Sequence, residues 1–254
     1  MATDKKKDKL EEEKQARMPI TGHFSEMRRR MIRTVIAILV FTLVAFIFWH
    51  QIYEFLTAPA PDDIRLQSVE VMEMLSNIFK VCLTAGLIFS MPFIVFQMIA
   101  FLNPALKPNE KRYIYYTLPI ITLLFLAGVA FAYYVALPPA LGFLFSFGSD
   151  VVDIAPRISS YVDVITRLML AVGLSFETPL ILMVLARIGV VNSQWLASKR
   201  KIWIIVAFVL AAIITPTFDP INQTIIALPL IVLYELSIWL TKLVRRHPKE
   251  EKAA

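Results

Sequence analysis

The positive charges of this 254-residue chain are sorted along its length, and this sorting constrains the fold more than any other feature. Twenty-two of the 26 Lys and Arg residues lie in alternate segments between long apolar runs. Basic residues near the ends of membrane spans are retained on the cytoplasmic side. The pattern therefore predicts an even number of spans with both termini in the cytoplasm. The four basic groups lie within residues 5–33, 107–112, 187–201 and 242–252.

The other segments carry acidic residues, which supports the same orientation. Only Arg65, Lys80, Arg157 and Arg167 lie outside the four basic groups. The predicted outer segments carry acidic side chains instead, namely Asp62, Asp63, Glu70, Glu73, Asp150, Asp153 and Asp163.

The composition excludes several classes of protein. The chain is 57% hydrophobic with a mean hydropathy of +0.65, which is typical of a membrane protein. Its net charge of +6 is spread over four short segments and forms no basic patch, so no nucleic-acid partner is expected. Cys82 is the only cysteine and the three histidines are far apart. We therefore expect no disulfide, metal or cofactor, and the late first apolar run does not resemble a cleaved signal peptide.

Apolar runs predict an all-α integral membrane protein of six helices between two charged tails. A span needs roughly 20 apolar residues. The predicted domains are a charged cytoplasmic tail over residues 1–17, a membrane domain over 18–245 and a second tail over 246–254. Pro138-Pro139 is predicted to end the third span, and residues 69–77 to form a short interfacial helix. The predicted spans are 32–53, 78–102, the first part of 113–149, 164–186, 202–216 and 221–241.

The fifth and sixth helices are predicted to be short. Fifteen residues at 1.5 Å each give about 22 Å, against roughly 30 Å of hydrocarbon. Such a mismatch thins the bilayer locally or draws flanking side chains outward.

Glu177 is the most unusual residue inside a predicted span. A carboxylate that faces lipid at mid-span costs about 2.5–3.5 kcal/mol on insertion scales. We therefore expect Glu177 to face a polar pocket and to contact a ligand or partner. The alternative is a protonated or hydrogen-bonded acid with a structural role.

The segment before the first span combines three arginines with an acid. Arg28, Arg29 and Arg30 are typical of an anchor at the inner membrane edge, but Glu26 is an acid where only bases are needed. Glu110 is a second acid in a basic inner loop. Two ionised carboxylates can receive guanidinium groups. Ordinary ion pairing within the chain explains the two acids equally well.

Two further sites have structural explanations. Asp219 can cap the last helix, and Thr215 and Gln223 can form hydrogen bonds between helices. Glu235 is near the inner end of the sixth span, where its side chain can reach the interface. Phosphate-binding loops, zincin motifs and nucleophile elbows are absent from the sequence, so we expect no enzyme.

In order along the chain, these motifs resemble the TatC family, the receptor subunits of twin-arginine protein translocases. The resemblance covers residues 19–245. It rests on His23-Phe24-Ser25-Glu26-Met27-Arg28-Arg29-Arg30, on Phe101-Leu102-Asn103-Pro104-Ala105-Leu106 with Glu110-Lys111-Arg112, on Ser175-Phe176-Glu177-Thr178-Pro179, and on Thr215-Pro216 with Asp219 and Gln223.

The resemblance implies a concave, glove-like bundle in the cytoplasmic (inner) membrane. It implies binding of twin-arginine signal peptides of folded precursors, whose transport is driven by the proton-motive force. It also implies self-association and partners of the single-span TatA and TatB type. Glu26 and Glu110 would receive the signal arginines with support from His23, Arg28 and Arg30; Glu177 would face the concave side; Thr215 and Gln223 would lie where partners dock; Pro59 and Asp219 would be structural.

Two other classes of function remain open from the residues alone. A secondary transporter or channel for a small solute could use Glu177 as its ion site. The chain shows no paired Gly- or Pro-broken spans, which transporters with inverted repeats often have. A passive membrane scaffold is the weaker alternative, and its inner acids would be freely replaceable.

Overall fold

The computed structural model describes residues 20–60, 66–102, 108–149, 151, 155–187, 189–217 and 219–244. Of residues 20–24, 102, 108–117, 187, 243 and 244 it describes the backbone alone. Within these ranges every regular element is helical, apart from one bridge between Gln67 and Arg157. The helices are α1 (Ile20–Ile47), α2 (Trp49–Thr57), α3 (Glu73–Leu102), α4 (Pro108–Phe131), a π-helical turn (Ala132–Ala136), α5 (Leu137–Ser146), α6 (Ile158–Ser175), α7 (Thr178–Arg187), α8 (Ser193–Ser198), α9 (Arg200–Ile214) and α10 (Pro220–Val244).

In the described ranges, five helical segments are long and apolar enough to cross a membrane, which makes the chain a multi-pass membrane protein. They overlap the predicted spans one to four and six. Helix α9 lies at the predicted fifth span and has 15 residues, or about 22 Å, so the prediction of a short fifth helix is confirmed. The five segments are Ser25–Ile47, Glu73–Phe101, Leu118–Ser146, Ile158–Ala186 and Pro220–Lys242.

The prediction of a short sixth helix is wrong. Helix α10 has 25 residues and continues on both sides of Pro229. A proline inside a helix removes one hydrogen bond and favours a kink, but it does not have to end the helix. The predicted interfacial helix over residues 69–77 is also absent, since α3 begins at Glu73 and runs directly into the span.

Pro138-Pro139 does not end the third span as predicted. A π-helical turn joins α4 to α5, and the two prolines occupy the first turn of α5. A proline is tolerated there because the first N–H groups of a helix have no partner within it. Leu137 N–H donates to Ala132 O across the π-helical turn, so the helical path continues to Ser146.

One compact unit comprises the described parts of residues 1–49 and 82–122. Helices α1 and α3 approach closely at Gly86 in this unit. A Cβ atom at Gly86 would lie 2.2 Å from Thr42 Oγ1, 2.8 Å from Thr42 N and 2.9 Å from Thr42 Cα. Small residues permit such close approach of helices in membranes, so Gly86 sets this packing distance.

The second unit comprises the described parts of residues 50–81 and 123–254. Helix α10 packs against α7, α8 and α9 in this unit. The Trp203 and Tyr234 rings stack with centroids 4.5 Å apart, Trp203 Nε1–H donates to Leu230 O, and Tyr234 O–H donates to Leu196 O at 2.8 Å. These bonds satisfy the polar ends of two large aromatic side chains at the helix interface.

A buried carboxylate joins the loops before α3 and α6, which also belong to the second unit. Glu73 Oε2 accepts from the N–H groups of Val69 and Glu70 at 2.7 and 3.2 Å. Glu73 Oε1 accepts from Ser159 N–H at 3.2 Å and from Ser159 Oγ at 2.6 Å. One side chain therefore binds the start of α6 and the loop that leads into α3.

Ion pairs of Arg157 and Lys80 also support this junction. Arg157 pairs with Glu70 at 3.0 Å and lies 3.6 Å from Glu73, while Lys80 of α3 pairs with Asp163 of α6. The hydrogen bond to Glu70, together with the charge of Glu73, raises the pKa of Arg157 above its ordinary value. The junction is thus held by charged groups that lie far apart in the sequence.

Candidate functional site

Glu26, the first acid singled out in the sequence, is ion-paired with Arg30. Residues four apart share one face of a helix, and Arg30 donates to Glu26 Oε1 from Nε at 3.1 Å and from a terminal nitrogen at 2.5 Å. Both side chains are half-buried, at 19% and 21% exposure. The Glu26 carboxylate thus already accepts a guanidinium group in this structure.

Gln97 of α3 completes this cluster and was missed in the sequence. Arg30 donates its third hydrogen bond to Gln97 Oε1 at 3.3 Å, and Gln97 is buried. The two residues are 67 positions apart, so no sequence pattern connects them. Gln97 fixes the guanidinium of Arg30 and thereby the orientation of the Glu26 carboxylate.

An apolar cavity of about 330 Å³ lies beside this cluster in the first unit. Arg30 and Gln97 form its polar part, and three methionines give it adaptable walls. The cavity can hold an apolar side chain next to a polar cluster. Its apolar lining is Met27, Met31, Val35, Ile94, Met98 and Phe101, and Thr34 also borders it.

The other residues predicted for this site lie elsewhere or outside the described side chains. Arg28 is exposed and borders a different cavity from Arg30. The backbone of His23 lies in α1 and that of Glu110 in α4, but both side chains are outside the described residues. Glu26 and Arg30 are the pair that the structure brings together.

Glu177 lies at a break in the fourth span, between α6 and α7. Pro179 has no N–H to donate to the carbonyl of Ser175, and the Thr178 hydroxyl donates to that carbonyl instead, at 2.6 Å. The N–H of Glu177 donates to Leu174 O, and its carbonyl accepts from Leu180 and Ile181. The Ser-Phe-Glu-Thr-Pro motif is thus the sequence of a helix break.

The Glu177 side chain is buried without a polar partner in the described part of the chain. Its residue exposure is 4%, and neither carboxylate oxygen accepts a hydrogen bond there. The preceding Phe176 packs against Gly128 of α4, where a Cβ would lie 2.7 Å from the ring. This packing holds the break in place, and both oxygens of the buried acid remain without a hydrogen bond in the described part of the chain.

The junction of α9 and α10 combines a cap with a bond between helices. Asp219 Oδ2 accepts from Asn222 N–H at 3.0 Å, which is the geometry of an N-cap. Gln223 Nε2 donates across to Phe208 O at 2.8 Å. Thr215 is buried and donates to Ala211 O within its own helix at 2.7 Å, so its described hydrogen bond does not join the two helices.

Two of the remaining residues from the sequence have clear local environments. Pro59 lies in the turn that follows α2. Glu235 forms a two-pronged ion pair with Arg200 of α9, with N–O distances of 2.7 and 2.8 Å. Within the described residues, no group of His, Cys, Asp and Glu side chains has the geometry of a metal site.

Comparisons with known proteins agree on one family. The family described as Sec-independent protein translocase protein (TatC) matches residues 22–229. The TatC proteins of Aquifex aeolicus and of Helicobacter pylori strain J99 are each 38% identical to this chain. The matches cover 93% and 91% of this chain, and 100% and 91% of those proteins.

Solved structures give the same result. A crystal structure of the twin-arginine translocase receptor TatC is similar with a TM-score of 0.75 and 38% identity, over 88% of this chain and 100% of that one. A second crystal structure of TatC, in the detergent DDM, has a TM-score of 0.77 and 37% identity, over 86% and 99%. The sequence, the helices and the relatives therefore agree, and this chain belongs to the TatC family of Sec-independent protein translocase proteins.

Proposed function

We propose that this protein is the receptor subunit of a twin-arginine translocase, and that it binds the signal peptides of folded precursors at its cytoplasmic face. The observation that carries the proposal is the Glu26–Arg30 pair. A half-buried carboxylate that accepts two hydrogen bonds from one guanidinium has the chemistry to receive an arginine of a ligand. Arg30 and Gln97 would hold this carboxylate in its orientation.

Arginine rather than lysine is the expected ligand. A guanidinium presents a planar set of donors to a carboxylate, which an ammonium group cannot reproduce. Glu110 would receive the second arginine, with His23 and Arg28 in support. The apolar cavity beside Arg30 would accommodate an apolar residue of the same peptide.

The remaining parts of the proposal concern topology and partners. We propose six spans, with α9 as the short one, and both termini on the cytoplasmic side of the inner membrane. Glu177 would meet the inserted peptide or a polar group of a TatA- or TatB-type subunit, and Thr215 and Gln223 would lie near the partner's docking site. Transport would depend on the proton-motive force. The comparisons do not favour the alternative of a solute transporter.

Site-specific photocrosslinking in membranes tests the proposal. Probes beside Glu26 and Glu110 would be offered a precursor with Arg-Arg or its Lys-Lys variant. We expect crosslinks to the Arg-Arg precursor and none to the Lys-Lys precursor. In a binding assay, E26Q should weaken binding of the Arg-Arg peptide by about tenfold or more. The reason is that hydrogen bonds to a charged group contribute about 1.5–3 kcal/mol.

Glu235 offers a matched control, because it too is paired with an arginine. E235Q removes an equivalent charge outside the proposed site and should leave peptide binding unchanged. Unchanged binding in the double variant E26Q/E110Q, from protein that is correctly inserted, would remove the proposed acid pair.

A further inference from the structure

A second, basic cavity lies on α1, apart from the Glu26–Arg30 pair. It has a volume of about 620 Å³ and is lined by Ser25, Arg28, Arg29, Ile32 and Arg33. The three arginines are exposed. None of them forms an ion pair with a side chain in the described ranges, whereas Arg30 is paired with Glu26. Three positive charges therefore line an open cavity without a described counter-ion.

An exposed apolar stripe begins at this cavity and runs along the span. Ile32, Ile36, Leu39 and Leu43 follow at intervals of three or four residues, which places them on one helix face. They are 49%, 54%, 54% and 66% exposed. From Ile32 to Leu43 there are eleven rises of 1.5 Å, so the stripe is about 16 Å long and starts directly beside the guanidinium groups.

We propose that this surface binds an anionic phospholipid. Arg28, Arg29 and Arg33 would contact the phosphate of its headgroup, and an acyl chain would lie along the stripe from Ile32 to Leu43. Guanidinium groups form two-pronged hydrogen bonds with phosphate oxygens. Clusters of basic residues at the cytoplasmic end of a span favour anionic lipids.

The apolar stripe is what favours a lipid over a free phosphate ion. A soluble anion would use the guanidinium groups alone, whereas a phospholipid matches both the charged cavity and the exposed apolar face that continues from it. A zwitterionic phospholipid has the same chains but no net negative charge. Preference for the anionic headgroup is therefore the property that the three arginines would confer.

The experiment titrates the purified full-length protein in detergent with phosphatidylglycerol or with phosphatidylcholine of the same acyl chains. Native mass spectrometry counts the lipid molecules that are bound. We expect the unsubstituted protein to prefer phosphatidylglycerol. R29Q/R33Q should weaken binding of phosphatidylglycerol by about 30-fold at low salt and leave binding of phosphatidylcholine unchanged. The reason is that each basic residue near a membrane surface contributes about 1 kcal/mol. Arg28 stays in place because it also belongs to the proposed signal-peptide site.

The matched control is K199Q/K201Q, which removes the same charge from another basic segment of the chain. It should retain the preference for phosphatidylglycerol. Equal loss in both double variants would mean that net charge alone attracts the lipid, and it would overturn the site. Two measurements on the unsubstituted protein are equally decisive: equal binding of the two lipids overturns the proposal, and so does complete displacement of phosphatidylglycerol by millimolar inorganic phosphate.

Discussion

The contact between α1 and α3 at Gly86 leads to a quantitative prediction. A methyl group at Gly86 would lie 2.2 Å from Thr42 Oγ1, 2.8 Å from Thr42 N and 2.9 Å from Thr42 Cα, whereas ordinary contacts begin at 3.4 Å. The hydroxyl could rotate away, but the backbone atoms of Thr42 cannot. The two helices would have to separate by about 0.6 Å to relieve the clash with Thr42 N. Overpacking of this kind typically costs about 1–3 kcal/mol.

Gly142 provides a control for the intrinsic effect of Gly→Ala. It lies inside α5, and a Cβ built there has nothing within 4 Å. G86A and G142A therefore change helix propensity in the same way but differ in steric cost. We expect G86A to be less stable than G142A by about 1–3 kcal/mol. G142A should be as stable as the unsubstituted protein or more so.

The assay is thermal unfolding in detergent. The measured quantity is the fraction of protein that remains monodisperse in gel filtration after heating. The double variant T42A/G86A should recover only part of the stability that G86A loses, because it removes the contact with Thr42 Oγ1 and keeps the two backbone contacts. Equal midpoints for G86A and G142A would refute the idea that Gly86 sets the distance between α1 and α3.

Three further predictions concern polar groups in or beside the spans. E177L should leave precursor binding within about twofold but reduce transport into vesicles, because the proposed role of Glu177 follows peptide insertion; loss of the protein from the membrane would instead support a structural role. E73Q should lower the thermal midpoint more than E70Q, because Glu73 is buried and accepts four hydrogen bonds, whereas Glu70 is exposed. T178V should lower the stability measured in thermal unfolding by about 1 kcal/mol, because the Thr178 hydroxyl replaces the N–H that Pro179 lacks. T122V should lower it less, because the Thr122 hydroxyl binds a carbonyl within a regular helix. Equal midpoints within either pair would contradict the corresponding explanation.

The sequence was informative wherever a property repeats along the chain. Apolar runs located the five long spans, and the 15-residue length of α9 followed from the charges and prolines that flank it. Glu26 and Glu177 were recognised because each is an acid where its surroundings favour another residue type. These signals are local, so they can be read without knowing which helices touch.

Contacts between distant residues could not be predicted in this way. Glu73 and Ser159 are 86 positions apart, and Arg30 and Gln97 are 67 apart, and neither pair has a sequence motif. The prediction at Pro138-Pro139 failed for a related reason. A proline limits its own hydrogen bond, but whether the helix continues depends on the rest of its environment. The helical path therefore persists through Pro138-Pro139, where the sequence analysis predicted an end, and through Pro229.

The bonds of Glu73 also have a consequence for the order of events during synthesis. The carboxylate binds the N–H groups of Val69 and Glu70 locally, but its bonds to Ser159 must wait for the 86 residues that follow. At 5–20 residues per second, the delay is about 4–17 s. For that interval the Glu73 carboxylate has two of its four native hydrogen bonds, while α3 to α5 are already being made. The junction of the two loops is thus a late event, and it is completed only when the start of α6 arrives.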